Sequence, residues 1–158
     1  IAAGGAFMGG AALLKVLGLI LICSASNTAF VLFIVSFFNS QGAFTGASTV
    51  IGTFIGFVAG IYMPIGVLPE GVRAVVKIFP VSHGAALMRQ AVMENQLAEA
   101  FKGAPAGALE EFNQMMGNSL NFGDYAVPAG VSIAVLVLSG VLFFLLALLN
   151  IRRKGKNI

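Results

Sequence analysis

His83, Cys23 and Asp124 are each the only residue of their type in this 158-residue chain. A catalytic site needs a nucleophile, a base and a group that orients them, converging on one point. Ser82 directly precedes His83, a pairing that brings hydrolases to mind. Neighbouring residues at a helix start point in different directions, however, and a nucleophile must lie within hydrogen-bond reach of its base. Helix-start packing or an interfacial hydrogen bond is the better reading of His83. Cys23 has no second thiol for a disulfide or a metal site. Glu110 and Glu111 are adjacent carboxylates on a polar stretch and read as solvated surface, with no metal-ligand spacing around them. The phosphate-cradling pattern Gly-x-x-x-x-Gly-Lys-Ser/Thr is absent from the sequence, so the chain does not bind ATP in that way. Nothing here reads as an enzyme or as a holder of a metal or cofactor.

Two other groups of residues have informative spacing. Ser24, Ser26, Asn27 and Thr28 form a polar island within an apolar run. Polar groups at that depth must find partners, either on neighbouring helices or along a translocation path. Gly52, Gly56 and Gly60 recur at intervals of four, the same interval that separates Gly42 from Gly46 earlier in the chain. Small residues so spaced allow helices to approach closely in lipid, so the three mark a packing face or a subunit interface. The plainer reading is that glycine is common here, with 20 in the chain.

The elements that must position these residues follow from composition. Hydrophobic residues make up 58% and charged residues 9%, with mean hydropathy +0.96, against about 25% charged residues in an ordinary soluble domain. From Val16 to Pro69 no side chain is charged, and a membrane-spanning helix needs only about 20 residues. Spans are expected over about 18–38 and 43–63, joined by the turn Asn39 to Gly42 and therefore antiparallel neighbours. The second should end at Pro64, which removes a backbone donor. A third span is expected over about 128–150, where Ser132, Ser139 and Gly140 are the only breaks in the apolar interior.

The intervening segment 64–127 holds all six acidic residues of the chain together with Arg73, Lys77, Arg89 and Lys102. Pro69 followed by Glu70 suits a first helical turn. Val72, Val75, Val76 and Phe79 then fall at helical spacing opposite Arg73 and Lys77. That helix is too short to cross a bilayer and must lie in the interface or dip in and return. Ser82 should cap a helix over about 83–101 that is largely in water, and a short helix is expected over 108–116. Four of the nine basic residues, Arg152, Arg153, Lys154 and Lys156, follow the last apolar run directly. They read as a cytoplasmic membrane edge, and without a second basic patch there is no case for nucleic acid as a partner. The start at Ile1, with no charged signal region, reads as a piece of a longer protein, and the uncharged, Gly-rich residues 1–14 as the end of an earlier span. The fold class is an all-α polytopic membrane protein with three transmembrane helices and short external or re-entrant helices.

The stretch Gly60-Ile-Tyr-Met-Pro-Ile-Gly-Val-Leu-Pro69, followed by Ile78-Phe-Pro-Val-Ser-His83 and Leu87-Met-Arg89, resembles the second half of the type 2 ABC exporter permeases. Gly60, Pro64, Pro69, Pro80 and Arg89 are the positions that match, and the likeness extends over roughly 18–156. It implies a six-span subunit of which this chain supplies the last three spans. It also implies a second permease subunit in a homo- or heterodimer, and two cytoplasmic ATPases that hold the ATP. The setting would be the bacterial plasma membrane, with segment 64–127 external and the tail cytoplasmic. The activity implied is ATP-driven export of an amphipathic or hydrophobic substrate of the drug, peptide, lipid or glycan class. Residues 94–125 exceed the family's shared core. Two other readings stand beside it. One is a polytopic structural or receptor protein acting through its external segment. The other is a membrane-embedded enzyme, which the scarcity of ionisable residues in the spans disfavours.

Overall fold

The computed structural model describes residues 10–123 and 125–155, so the expectations that rest on residues 1–9, Asp124 and Lys156 lie outside the described residues. The chain forms α1 (Gly10–Val35), α2 (Gln41–Val58), a 3₁₀ turn (Ile65–Val67), α3 (Glu70–Ile78), α4 (Pro80–Ala100), α5 (Ala108–Met116), strands β1 (Asn121–Phe122) and β2 (Tyr125–Ala126), and α6 (Ala129–Gly155).

Two of these helices, α1 and α6, are long and apolar enough to cross a membrane. At 26 residues, α1 is about 39 Å long, against a hydrocarbon core of about 30 Å. The two run side by side in the same direction. Ser26 meets Ser139, Phe30 and Phe33 meet Phe143, and Asn150 Nδ2 donates to Ser36 Oγ at 2.8 Å. Close approach is possible because Gly140 has no side chain: a Cβ there would lie 3.2 Å from Ser26 Cα. Leu14, Leu21, Leu138 and Leu142 are exposed on the outward faces, an arrangement suited to lipid and costly in water.

The third expected span takes a different form. α2 is an 18-residue helix that does not reach the apolarity of the other two, since Gln41, Thr45, Ser48, Thr49 and Thr53 interrupt it. Three of those hydroxyls, on Thr45, Ser48 and Thr53, donate to carbonyls one turn back at 2.8–2.9 Å, which hides their polarity within the helix. The helix also ends at Val58, short of the expected boundary at Met63. Gly60 takes φ +68°, and the Ile61 and Gly60 N–H groups donate to the Gly56 and Phe57 carbonyls at 2.9 and 3.0 Å. This paired closure through a left-handed glycine terminates the helix before Pro64 can. Nor is α2 packed along α1. It returns in the opposite sense from the Phe38–Phe44 contact, leaving a cleft of ≈ 220 Å³ lined by Val31, Ile34, Phe44 and Ile55 among others.

The helix that packs against both α1 and α6 is α4 instead. It begins at Pro80, with proline in its first turn and Phe79 as the N-cap, where a proline's missing N–H costs nothing. Ser82 is therefore inside the helix and is not its cap. The first half of α4 is buried, including Val81, His83, Gly84 and Leu87. Only the second half, from about Glu94, has the exposure expected of the whole helix. It runs antiparallel to both neighbours. Gly84 sits against Cys23 and Leu136, while further along Lys15 Nζ lies 3.6 Å from Glu94. Phe79, at the corner between α3 and α4, reaches the rings of Phe30 on α1 and Phe54 on α2 at centroid distances of 5.4 and 5.6 Å, so the corner of the short-helix hairpin packs against both helices.

α5 is framed by left-handed glycines, Gly107 and Gly117. Its end packs on the 3₁₀ turn, where a Cβ on Gly66 would come within 2.6 Å of Met115 Cα. The two-stranded hairpin, with Asn121 opposite Ala126 and Phe122 opposite Tyr125, has no counterpart in the sequence expectations.

Candidate functional site

The densest polar constellation in the described residues is built by α4 around the end of α2. A helix leaves its last carbonyls without partners, and α4 supplies donors for three in succession. Ser82 Oγ donates to the Val58 carbonyl at 2.9 Å. Arg89 Nη2 donates to the carbonyls of Ala59 at 2.7 Å and Gly60 at 2.9 Å. Arg89 Nη1 lies 3.5 Å from the Gly117 carbonyl, at the end of α5. One guanidinium thus bridges the C-termini of two helices, where the dipole favours a cation. Burial pushes its pKa below the ordinary arginine value, yet a guanidinium keeps its charge. Ser82 and Arg89 are seven residues apart on α4, a spacing that puts both on one stripe. Beside them Gln90 Nε2 donates to the Asn118 carbonyl at 2.5 Å, and Asn118 Nδ2 to Asn113 Oδ1 at 3.0 Å.

Arg89 enters the sequence reading as a matching position, without partners. Ser82, Gln90 and Asn118 were missed as parts of the same network. The seven-residue spacing of Ser82 and Arg89 was the available signal. For Asn118 there was none, because its partners lie on α4 and α5.

His83 is buried, and its Nδ1 lies 3.0 Å from Ser132 Oγ on α6. Its neighbour Ser82 faces Val58, so the two adjacent residues serve different helices. Burial holds the His83 imidazole below its ordinary pKa of 6.5, and a backbone hydrogen bond at Lys77 acts weakly in the opposite direction.

The polar island of α1 is divided. Ser26 is buried against α6, its Oγ 3.5 Å from Ser139 Oγ. Ser24 and Thr28 face outward and are exposed, while Asn27 is half-buried with Oδ1 enclosed and unpartnered. A groove of ≈ 420 Å³ runs along this α1–α6 seam past Ala25, Ser26, Gly140 and Phe144.

The three glycines do not share one helix face. Gly52 is exposed with nothing near a notional Cβ, and Gly56 lies under the ring of Tyr62. Gly60 lies beyond the helix in the closing turn, where a Cβ would come within 3.0 Å of Ile65 and 3.2 Å of Arg89. The physical cause is the left-handed turn at Gly60, which ends the periodicity on which the face depends. Pro64 and Pro69 flank the 3₁₀ turn and the start of α3, and Pro80 opens α4.

Long outward-facing apolar helices, an inserted short-helix hairpin, and side chains committed to closing helix ends define a helical integral membrane protein without a visible reaction centre in its described part. The model of the family described as ABC-2 family transporter protein matches residues 1–149, and the chain belongs to that family, the transmembrane permeases of ABC transporters, which generally work with an ATPase subunit. No curated protein and no solved structure matches the chain.

Proposed function

We propose that this chain is the C-terminal half of the permease subunit of an ATP-driven exporter, moving an amphipathic or hydrophobic substrate of the drug, peptide, lipid or glycan class. The observation that carries the reading is the family match over residues 1–149, on a fold whose His83 and half-buried Arg89 are spent on structural hydrogen bonds. In this reading α2 is the third span, its hydroxyls masked by its own backbone. The basic end of α6 faces the cytoplasm, as short Lys- and Arg-rich flanks do, and segment 64–127 lies outside.

A second permease subunit and two cytoplasmic ATPases complete the transporter, the ATPases holding the nucleotide. The outward faces bearing Ser24 and Thr28 on α1 and Gly52 on α2 meet the translocation path or the partner subunit. Purification of the full-length permease with its ATPase tests the assembly: a stable complex whose ATP hydrolysis responds to substrate is expected. A permease that purifies alone and leaves hydrolysis unchanged under all substrates would count against it.

A further inference from the structure

The last turn of α6 carries Arg152, Arg153 and Lys154, with Lys156 following in sequence. All acidic residues of the chain fall between Pro64 and Val127, next to the start of α6, and the helix is about 40 Å long. Among the described residues no carboxylate forms a salt bridge with this basic end. Lys154 Nζ is engaged at 2.7 Å by Asn39 Oδ1, which fastens the end of α6 to the turn after α1, one turn beyond the Asn150–Ser36 bond. Arg152 and Arg153 remain exposed, and neither of the two salt bridges among the described residues involves them.

A helix C-terminus carries about half a negative elementary charge, which three consecutive cations exceed. Their position supplies another reason. Leu145, Leu149 and Ile151, immediately before them, are 52%, 53% and 48% exposed, so the lipid-facing surface runs without a spacer into the cations. Long basic side chains placed there lie at headgroup depth, where a guanidinium meets a phosphate through paired charge-assisted hydrogen bonds.

Resting on the reading of α1 and α6 as membrane-crossing, we propose that this end of the helix pair is a binding surface for anionic phospholipid headgroups. Arg152 and Arg153 hold the phosphates, and Lys154 with Asn39 fixes the two helix ends beneath them. A partner protein with an acidic face is the competing occupant. Lipid is favoured because the cations follow the apolar face directly and do not project beyond it.

The test uses the full-length permease in phosphatidylcholine vesicles, without any ATPase, and trace spin-labelled phosphatidylglycerol or phosphatidylcholine. The native protein should restrict the motion of the anionic label about threefold more than the zwitterionic one. That preference should fall towards unity at about 0.5 M salt and in R152Q/R153Q, and persist in R152K/R153K. No preference in the native protein, or an equal preference in R152Q/R153Q, overturns the proposal. If R152Q/R153Q does not fold, the salt titration of the native protein decides: a preference that ignores salt overturns the site. Because no ATPase is present, the outcome is independent of whether the transporter exports.

Discussion

Arg89 on α4 and Ala59 at the end of α2, 30 residues apart in sequence, are joined by a 2.7 Å hydrogen bond from guanidinium to carbonyl. With the Gly60 and Gly117 carbonyls on the same side chain, this contact ties the inserted helix to the ends of α2 and α5. Replacing Arg89 with Ala should cost about 3 kcal/mol, since each hydrogen bond to a charged group contributes about 1.5–3 kcal/mol and the carbonyls left behind are partly buried. Arg89→Lys should recover only part, because an ammonium cannot reproduce the planar fork. Thermal unfolding in detergent measures both, and an Arg89→Ala protein as stable as the native one would remove Arg89 from this role.

His83 gives the structure a pH dependence whose sign is fixed. Its folded-state pKa is lowered chiefly by burial, so the unfolded chain binds the proton more readily. Stability from this residue is fully present above the unfolded value of 6.5 and is lost as pH falls through it towards the folded value. Melting temperature should therefore drop between about pH 7 and pH 5, and the drop should shrink in His83→Asn. An identical pH profile in that variant would contradict the assignment.

Two glycines separate backbone crowding from side-chain crowding. A Cβ on Gly66 would meet the Met115 backbone at 2.6 Å, whereas on Gly56 it would meet only the exposed ring of Tyr62. Gly66→Ala should destabilise by about 1–3 kcal/mol, and Gly56→Ala by well under that, since Tyr62 can swing aside. The reverse order in chemical or thermal unfolding would contradict the packing of α5 on the 3₁₀ turn.

The long helices were legible because α1 and α6 are predominantly apolar and carry no charged side chain over about the 20 residues that a span needs. Their boundaries moved by several residues, since the charge-free run continues to the N-terminal side of Lys15 and the basic tail extends α6. α2 was misjudged at its end: Pro64 is the stronger breaker in general, but Gly60 closes the helix first through hydrogen bonds that sequence does not display. The wedge of α4 was hidden as well. Its Arg89, Gln90 and Glu94 suggest water, while its first half pairs Ser82 and His83 with carbonyl and hydroxyl groups on α2 and α6. The β1–β2 hairpin was too short to leave a periodic signal. Of the site residues, Arg89 is legible only as a position that matches the family resemblance, and its partners belong to three-dimensional proximity alone.

Sidedness follows from the proposed function. In a Cys23→Ala background, cysteines introduced at Ala104 and Ala108, which lie between α4 and α5 and at the start of α5, should react with an impermeant maleimide in intact cells. A cysteine at Ser40 should react only after lysis. The opposite pattern would invert the assignment of segment 64–127 to the outside.

The most direct test of the account is transport by the full-length permease in sealed vesicles, with and without its ATPase. Among the described residues of α1, α2 and α6, no carboxylate lies within a helix to relay protons, so movement of substrate should require both the ATPase and ATP. The account predicts ATP-dependent accumulation that disappears when the ATPase is omitted. Accumulation driven by a proton gradient alone, with no ATPase present, would contradict it.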